Sequence, residues 1–234
     1  MKILAIEASA LTASVAVCED HLPLAAMTLQ NGHTHSETLL PMVNQLLAHA
    51  GLTVGDIDLF AVPVGPGYFT GIRIGVSLIK GLAFDSGKPC VGLSSLEAMA
   101  YNLAGCDGIL CPVMDARRNQ LYNALFTWKD GKPERLCEDR LIPAAQLASE
   151  LAAYGKPVYV TGEGSAILQK AVGDSAELRY PSPLMATQNA VSVAELALVE
   201  YAKGNAVSDV ELLPVYLSPS QAERERNERI AAMG

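Results

Sequence analysis

The stretch best equipped for chemistry is residues 64–75, VGPGYFTGIRIG, where four glycines and a proline separate an apolar run from a long helical pattern. Glycines at a strand-to-helix turn can aim backbone N–H groups at an anion, assisted by the positive end of the helix dipole. Two phosphate patterns fail here. A P-loop would end in Gly-Lys-Ser/Thr, whereas Gly71 is followed by Ile72-Arg73. The dinucleotide fingerprint needs two residues before its last glycine, and Tyr68-Phe69-Thr70 supply three. Pro66 also removes one amide donor. A generic anion loop and a plain tight turn, using glycine for its access to positive φ, both stay open.

Other reactive side chains assemble less. His33 and His35 suggest a metal pair, but no third or fourth ligand lies nearby in the chain. Ser9, Ser14 and Ser94 fall near strand ends, yet there is no G-x-S-x-G elbow and every histidine precedes residue 50. Asp115 and Arg117, in MDARRNQLY, can hold each other or a ligand, and a solvated turn pair is the simpler reading. Gly162-Glu163-Gly164 follows a strand pattern, a common arrangement with little specificity. The five cysteines, Cys18, Cys90, Cys106, Cys111 and Cys137, form no C-x-x-C pair, which argues for reduced thiols over disulfides or structural zinc.

These residues need elements to hold them. Runs 2–8 and 12–18 predict a β-hairpin, with 23–29 as a third antiparallel strand. A helix is predicted over 36–50, with Ser36 as N-cap and Gly51 as its stop; Pro41 requires it to begin near Leu40 or to bend there. Strand 59–64 feeds the glycine loop. The helix after it, 70–86, carries one narrow polar stripe, Thr70, Arg73, Ser77 and Lys80, and is apolar elsewhere. Such a helix must bury more than one side. A strand at 90–92 and a helix to 103 follow, and the breaker-rich NLAGCDG at 102–108 marks a domain boundary. Beyond it come strands at 109–115 and 120–127, a helix at 144–153, a strand at 157–161 and a helix at 191–203. LLPVYLSPS then introduces a charged helix from 221. The strand-hairpin-then-helix order occurs twice, which suggests a duplicated architecture.

With 234 residues, half of them apolar and 18% charged, the chain can build a sizeable core. A net charge of −8 makes it a poor nucleic-acid binder by itself. Glu7 interrupts the only stretch that resembles a secretory signal, and no run is long enough to span a bilayer, so a cytoplasmic protein without membrane partners is expected.

In order, ILAIEAS…TASVAV, HSETLLPMV, GPGYFTGIRIG, LSSLEAMA, MDARRNQLY and LPVYLSPSQAERE resemble the TsaB (YeaZ) family, subunits of the bacterial machinery that makes threonylcarbamoyladenosine in tRNA. The likeness is strongest over 1–125, weak over about 130–205 and firm again at 212–225. It implies an α/β, two-lobed ASKHA fold, the superfold of actin and sugar kinases, with ribonuclease-H-like lobes. The first lobe would be 1–104 completed by 212–234, and the second, smaller and degenerate, 105–211. The implied role is a non-catalytic partner that pairs with a TsaD-like paralogue, helps recruit a TsaE-like ATPase and meets tRNA through the complex. No cofactor is expected on this chain alone, with ATP and magnesium implied for the complex.

The resemblance places the partner interface on two helices that pack as half of a four-helix bundle: Leu39, Leu40, Val43 and Leu47 on one, Arg73, Val76, Ile79 and Lys80 on the other. Charges introduced at Val76 or Ile79 are then expected to separate the partners without unfolding the chain. It also outlines a degenerate nucleotide cleft of Glu7, Ser9, Gly65, Gly67, Thr70, Asp115 and Arg117. Two departures count against catalysis. Glu7-Ala8-Ser9 replaces the family's Asp-Thr-Ser, with no hydroxyl on the next residue, and SSLEAMAYNLAG lacks the His-x-x-x-His metal pair of TsaD. Peptidase activity is therefore not expected. The alternatives are an ATP-dependent ASKHA-type phosphotransferase and a homodimeric scaffold that turns the same helical face on itself.

Overall fold

The computed structural model describes residues 1–173, 177–182 and 185–218; the charged helix expected from 221 lies outside them. β1 (Lys2–Glu7), β2 (Ala13–Glu19) and β3 (Leu22–Leu29) form an antiparallel meander, with Ile6 opposite Val15 and Val15 opposite Met27. β4 (Leu59–Gly65) and β5 (Cys90–Ser94) add on parallel to β1, giving the order β3-β2-β1-β4-β5. β1 and β4 are apolar on both faces because helices cover both. α1 (His35–Ala50) and α2 (Phe69–Ala83) seal one side around Leu4, Ile6, Phe60 and Val62. The other side, with Ile3, Ala5, Leu59 and Ala61, is closed by α6 (Ala190–Ala202). That placement corrects the expected lobe boundary: the chain returns to the first lobe by residue 190, not at 212, because the small residues Ala190, Ala194 and Ala197 let α6 lie close on the sheet.

The second sheet repeats the plan. β6 (Ile109–Asp115), β7 (Gln120–Asn123) and β10 (Arg140–Pro143) are antiparallel, and β11 (Val158–Thr161) and β12 (Leu178–Arg179) continue parallel to β6. α4 (Ala144–Ala153) and α5 (Ser165–Val172) follow the third and fourth strands of this series, as α1 and α2 do in the first. The duplicated two-lobed fold expected from the sequence is the one observed. Between the sheets lies α3 (Ser95–Ala100), extended by a 3-10 turn at Tyr101–Leu103, in a core of Leu96, Met99, Leu110, Met114 and Phe126.

Three local expectations need correction. The run 120–127 is not one strand: Asn123, fully buried, donates its side-chain amide to the carbonyls of Pro112 (3.1 Å) and Ala124 (2.9 Å), and the chain leaves the ladder there. It continues as a hairpin, β8 (Phe126–Lys129) and β9 (Lys132–Arg135), turned by Asp130-Gly131 with both residues at positive φ. α1 begins two residues early. Thr34 is its N-cap, and the Glu37 carboxylate accepts from the Thr34 amide at 3.2 Å and hydroxyl at 2.8 Å. Pro41 then sits inside the helix on its exposed side, where the carbonyl it leaves unbonded belongs to exposed Glu37. Asn102, in the predicted linker, is instead a nearly buried hub. It donates to Thr187 O (2.8 Å) and accepts from Asn189 (2.8 Å) and Ser192 (2.6 Å). No helix among the described residues is long and apolar enough to cross a membrane.

The glycine loop sets how closely α2 approaches the β1–β2 turn. A Cβ on Gly71 would stand 2.1 Å from the Ala8 carbonyl oxygen, whereas one on Gly81, at the exposed far end, would meet nothing within 4 Å. Gly71→Ala should therefore lower stability by about 1–3 kcal/mol, and Gly81→Ala should raise it by about 0.5–1 kcal/mol. Melting temperatures of the two variants check both signs, at roughly 2–4 °C per kcal/mol for a chain of this size.

Candidate functional site

α2 presents three rows of side chains about 120° apart, each with a different fate. Ile72, Val76, Ile79 and Ala83 are at most 2% exposed and belong to the chain's own core. The polar row is taken by the returning segment 207–218. Lys80 Nζ donates to the carbonyls of Val210 (2.9 Å) and Leu212 (3.1 Å), and Arg73 Nε donates to Tyr216 Oη (2.8 Å). Tyr216 also stacks on Phe69 at 4.3 Å, with the Arg73 guanidinium 3.8 Å from the Phe69 ring centre. Val215 N donates to Val64 O at 2.8 Å, and Leu212 is buried in the same core.

The third row, Ile74, Leu78 and Leu82, is only half-buried. With Leu40 of α1, 45% exposed, and Phe69, Ile74 and Leu78 of this row border a groove of about 490 Å³ between the two helices. Among the described residues Arg73 is the one charged residue on the groove wall, and no carboxylate lines it. This placement corrects most of the expected interface. Leu39, Val43, Leu47, Val76 and Ile79 are no more than 4% exposed and face the sheet, so a charge at Val76 or Ile79 would attack the core first. Arg73 and Lys80 are engaged by the strap, and only Leu40 of the eight borders the groove as a free apolar side chain. The i, i+4 spacing of Ile74 and Leu78 was the legible signal for the α2 residues that do.

Beside this groove the two lobes enclose a cleft of about 670 Å³. Of the predicted cleft residues, Gly67, Thr70, Asp115 and Arg117 line it; Glu7 and Ser9 lie buried beneath, and Gly65 is covered by Val215. Arg117, Arg118 and Asn119 all have positive φ (70°, 54° and 57°), a costly run for non-glycine residues. The Asp115 carboxylate supports it, accepting from the Arg117 amide at 2.7 Å. The Arg117 guanidinium lies 3.5 Å from Asp115 Oδ2 and 5.6 Å from the Tyr68 ring centre.

At the cleft floor, Glu7 Oε1 accepts from both the amide and the hydroxyl of Ser9 at 2.6 Å. With no hydroxyl on residue 8, the one that reaches Glu7 comes from Ser9. Burial pushes the Glu7 carboxyl from 4.5 up to about 7, against the lowering effect of the Ser9 bonds, and Glu163 adds repulsion. Burial also raises Glu163, whose Oε2 accepts from Gln188 Nε2 at 2.8 Å. The nucleotide held by kinases of this superfold fits these residues poorly. The Ser9 amide is spent on Glu7, the Tyr68 amide on Ser9 O at 2.7 Å, and Pro66 has none. The two carboxyls, Glu7 and Glu163, are buried behind the loop and act on each other. No three His, Cys, Asp or Glu side chains among the described residues are grouped as metal ligands.

Comparison with known proteins follows the same lines. Residues 30–209 match the family described as TsaD, tRNA N6-adenosine threonylcarbamoyltransferase. The chain is 32% identical over 224 residues to the tRNA threonylcarbamoyladenosine biosynthesis protein TsaB of Bacillus subtilis, covering 95% of this chain and 96% of that one. It is 30% identical to the protein of the same name from Haemophilus influenzae, over 79% and 80% of the two chains. Among solved structures, YeaZ from Pseudomonas aeruginosa superposes with a TM-score of 0.80 at 26% identity, over 92% of this chain and 99% of that one. A 2-hydroxyisocaproyl-CoA dehydratase activator from Clostridium difficile, TM-score 0.51 at 12% identity over 87% and 97%, shares the fold alone.

Because Glu7 keeps its proton in the folded chain up to about pH 7 and releases it near 4.5 when unfolded, stability should fall as pH rises through that window. The loss is on the order of 3 kcal/mol. Glu7→Gln should flatten the curve between those limits and make the variant more stable than wild type at pH 8, which urea denaturation across that range will measure.

Proposed function

This chain belongs to the TsaB family of tRNA threonylcarbamoyladenosine biosynthesis proteins, and from that premise we propose that it works as a non-catalytic subunit, docking a TsaD-like paralogue on the groove between α1 and α2. The supporting observation is the third row of α2: Ile74 and Leu78 are half-buried beside exposed Leu40, in a groove that no carboxylate lines among the described residues. A helix pair from a related chain, carrying its own apolar rows, would complete the packing that one lobe leaves open. The TsaE-like ATPase and tRNA are met through that pair, in keeping with the acidity of this chain. The spent amides of Ser9 and Tyr68, and the amide that Pro66 lacks, support a subunit that binds no nucleotide of its own. ATP and magnesium then act elsewhere in the complex.

Leu78→Asp and Ile74→Arg are the informative variants, since both residues border the groove and neither is closed into the core. Each should weaken binding to the TsaD-like paralogue by about 30-fold or more while keeping the wild-type circular dichroism spectrum. Both should also depress threonylcarbamoyladenosine formation in a reconstituted assay that omits each component in turn. Undiminished co-elution of both variants overturns the interface. A wild-type homodimer that these substitutions split, with no affinity for the paralogue, establishes the scaffold reading instead.

The nucleotide claim is checked separately by titrating the isolated chain with ATP and magnesium in a calorimeter. No micromolar isotherm is expected, and a tight one-to-one isotherm restores the phosphotransferase reading.

A further inference from the structure

The two sheets have separate cores, and beside α3 they are also joined by charge. Ser94 ends β5 and caps α3: its Oγ accepts from the Glu97 amide at 3.1 Å and donates to Asp139 Oδ2 at 2.5 Å. Arg135, the last residue of β9, closes the ring. Its Nη2 reaches Glu97 Oε2 at 2.5 Å and its Nη1 reaches Asp139 Oδ1 at 2.6 Å. Ser94 and Glu97 come from the first lobe, Arg135 and Asp139 from the second. The guanidinium lies 4.8 Å from the ring centre of Phe126, a member of the inter-lobe core. The three charged side chains are only 18–23% exposed, so water screens them weakly.

Such a ring is harder to break than to have built. Withdrawing Arg135 would leave two carboxylates together in a half-buried space, a larger penalty than the net gain from making the pair. The fork of the guanidinium suits two carboxylates at once, which an ammonium does not. The β8–β9 hairpin it anchors is fastened to the second sheet by the single pairing Leu110–Phe126, so the ring supplies much of its hold on the first lobe.

We propose that Arg135 is a latch: it clamps the second sheet onto α3, fixes the width of the inter-lobe cleft and makes the chain a rigid two-lobed body. The inference stands apart from the choice of partner. The chain carries its own reporter, because Trp128, its one tryptophan, sits on the same hairpin edge-on to Tyr101 of the α3 extension, ring centres 5.9 Å apart at 90°.

The test compares wild type with Arg135→Met, which keeps the stem over Phe126, and with Arg135→Lys, which keeps charge without the fork. In the Met variant, hydrogen exchange of amides in α3 and β8–β9 should accelerate about 10-fold or more while β1 and β2 stay within about 2-fold of wild type. Acrylamide quenching of Trp128 should rise in parallel, and the Lys variant should recover part of both changes. Wild-type exchange and quenching in a folded Met variant overturn the latch. So does acceleration spread evenly over both sheets, which would mark simple loss of stability. Should the Met variant not fold, Glu97→Gln and Asp139→Asn, which keep side-chain shape, are read the same way, and local exchange unchanged in both refutes the proposal.

Discussion

The constraint on which the structure depends is the backbone contact between the first turn of α2 and the hairpin turn of β1 and β2. Gly67 can have no side chain because Ser9 O occupies the space, and Gly71 can have none because Ala8 O does. With the helix fixed at that distance, its apolar rows cannot all reach the sheet. Ile72, Val76 and Ile79 do; Arg73 and Lys80 turn toward a strap that returns from residue 207; Ile74 and Leu78 are left at the surface. The free face is a consequence of geometry set several residues upstream, at a loop whose glycines look at first like a phosphate cradle.

The same contact consumes the chemistry that the loop could have had. A phosphate site needs backbone amides without partners. Here the Tyr68 amide is bound to Ser9 O and the Ser9 amide to the Glu7 carboxylate. Closing α2 onto the hairpin therefore ties up these two amides in packing, and the Glu7 carboxyl that takes one of them is buried and raised in pKa, with Glu163 adding repulsion.

Much of this was legible in the residues, and the failures have physical causes. Apolar runs with β-branched residues gave β1, β2, β4 and β6 nearly to the residue, and the doubled hairpin-then-helix order announced two lobes. Periodicity also showed that α2 is apolar around most of its circumference, but it could not say which side the sheet takes. Val76 and Ile79 were assigned outward for that reason, and they are closed into the core at 2% and 0% exposure. Lys80 and Arg73 looked like a surface stripe because their partners lie more than 125 positions away in sequence. Asn102 read as a linker residue because polar side chains beside glycine usually are; its burial depends on Thr187 and Ser192, which nothing local announces.

The duplication sharpens why the two lobes differ in the helical surface they leave open. α1 and α2 hold the positions in the first lobe that α4 and α5 hold in the second, but the first pair is 16 and 15 residues long and the second 10 and 8. At 1.5 Å per residue the first pair reaches about 22–24 Å and the second only about 12–15 Å. α4 buries Leu147, Ala148 and Leu151, and α5 buries Leu168 and Val172, in the core of their own sheet. A pair so short has few turns to spare beyond those that its own sheet requires. The longer pair satisfies the sheet with one row of each helix and runs on by about two further turns. Unequal helix length at equivalent positions thus makes the two copies of one plan unequal in what they can bind.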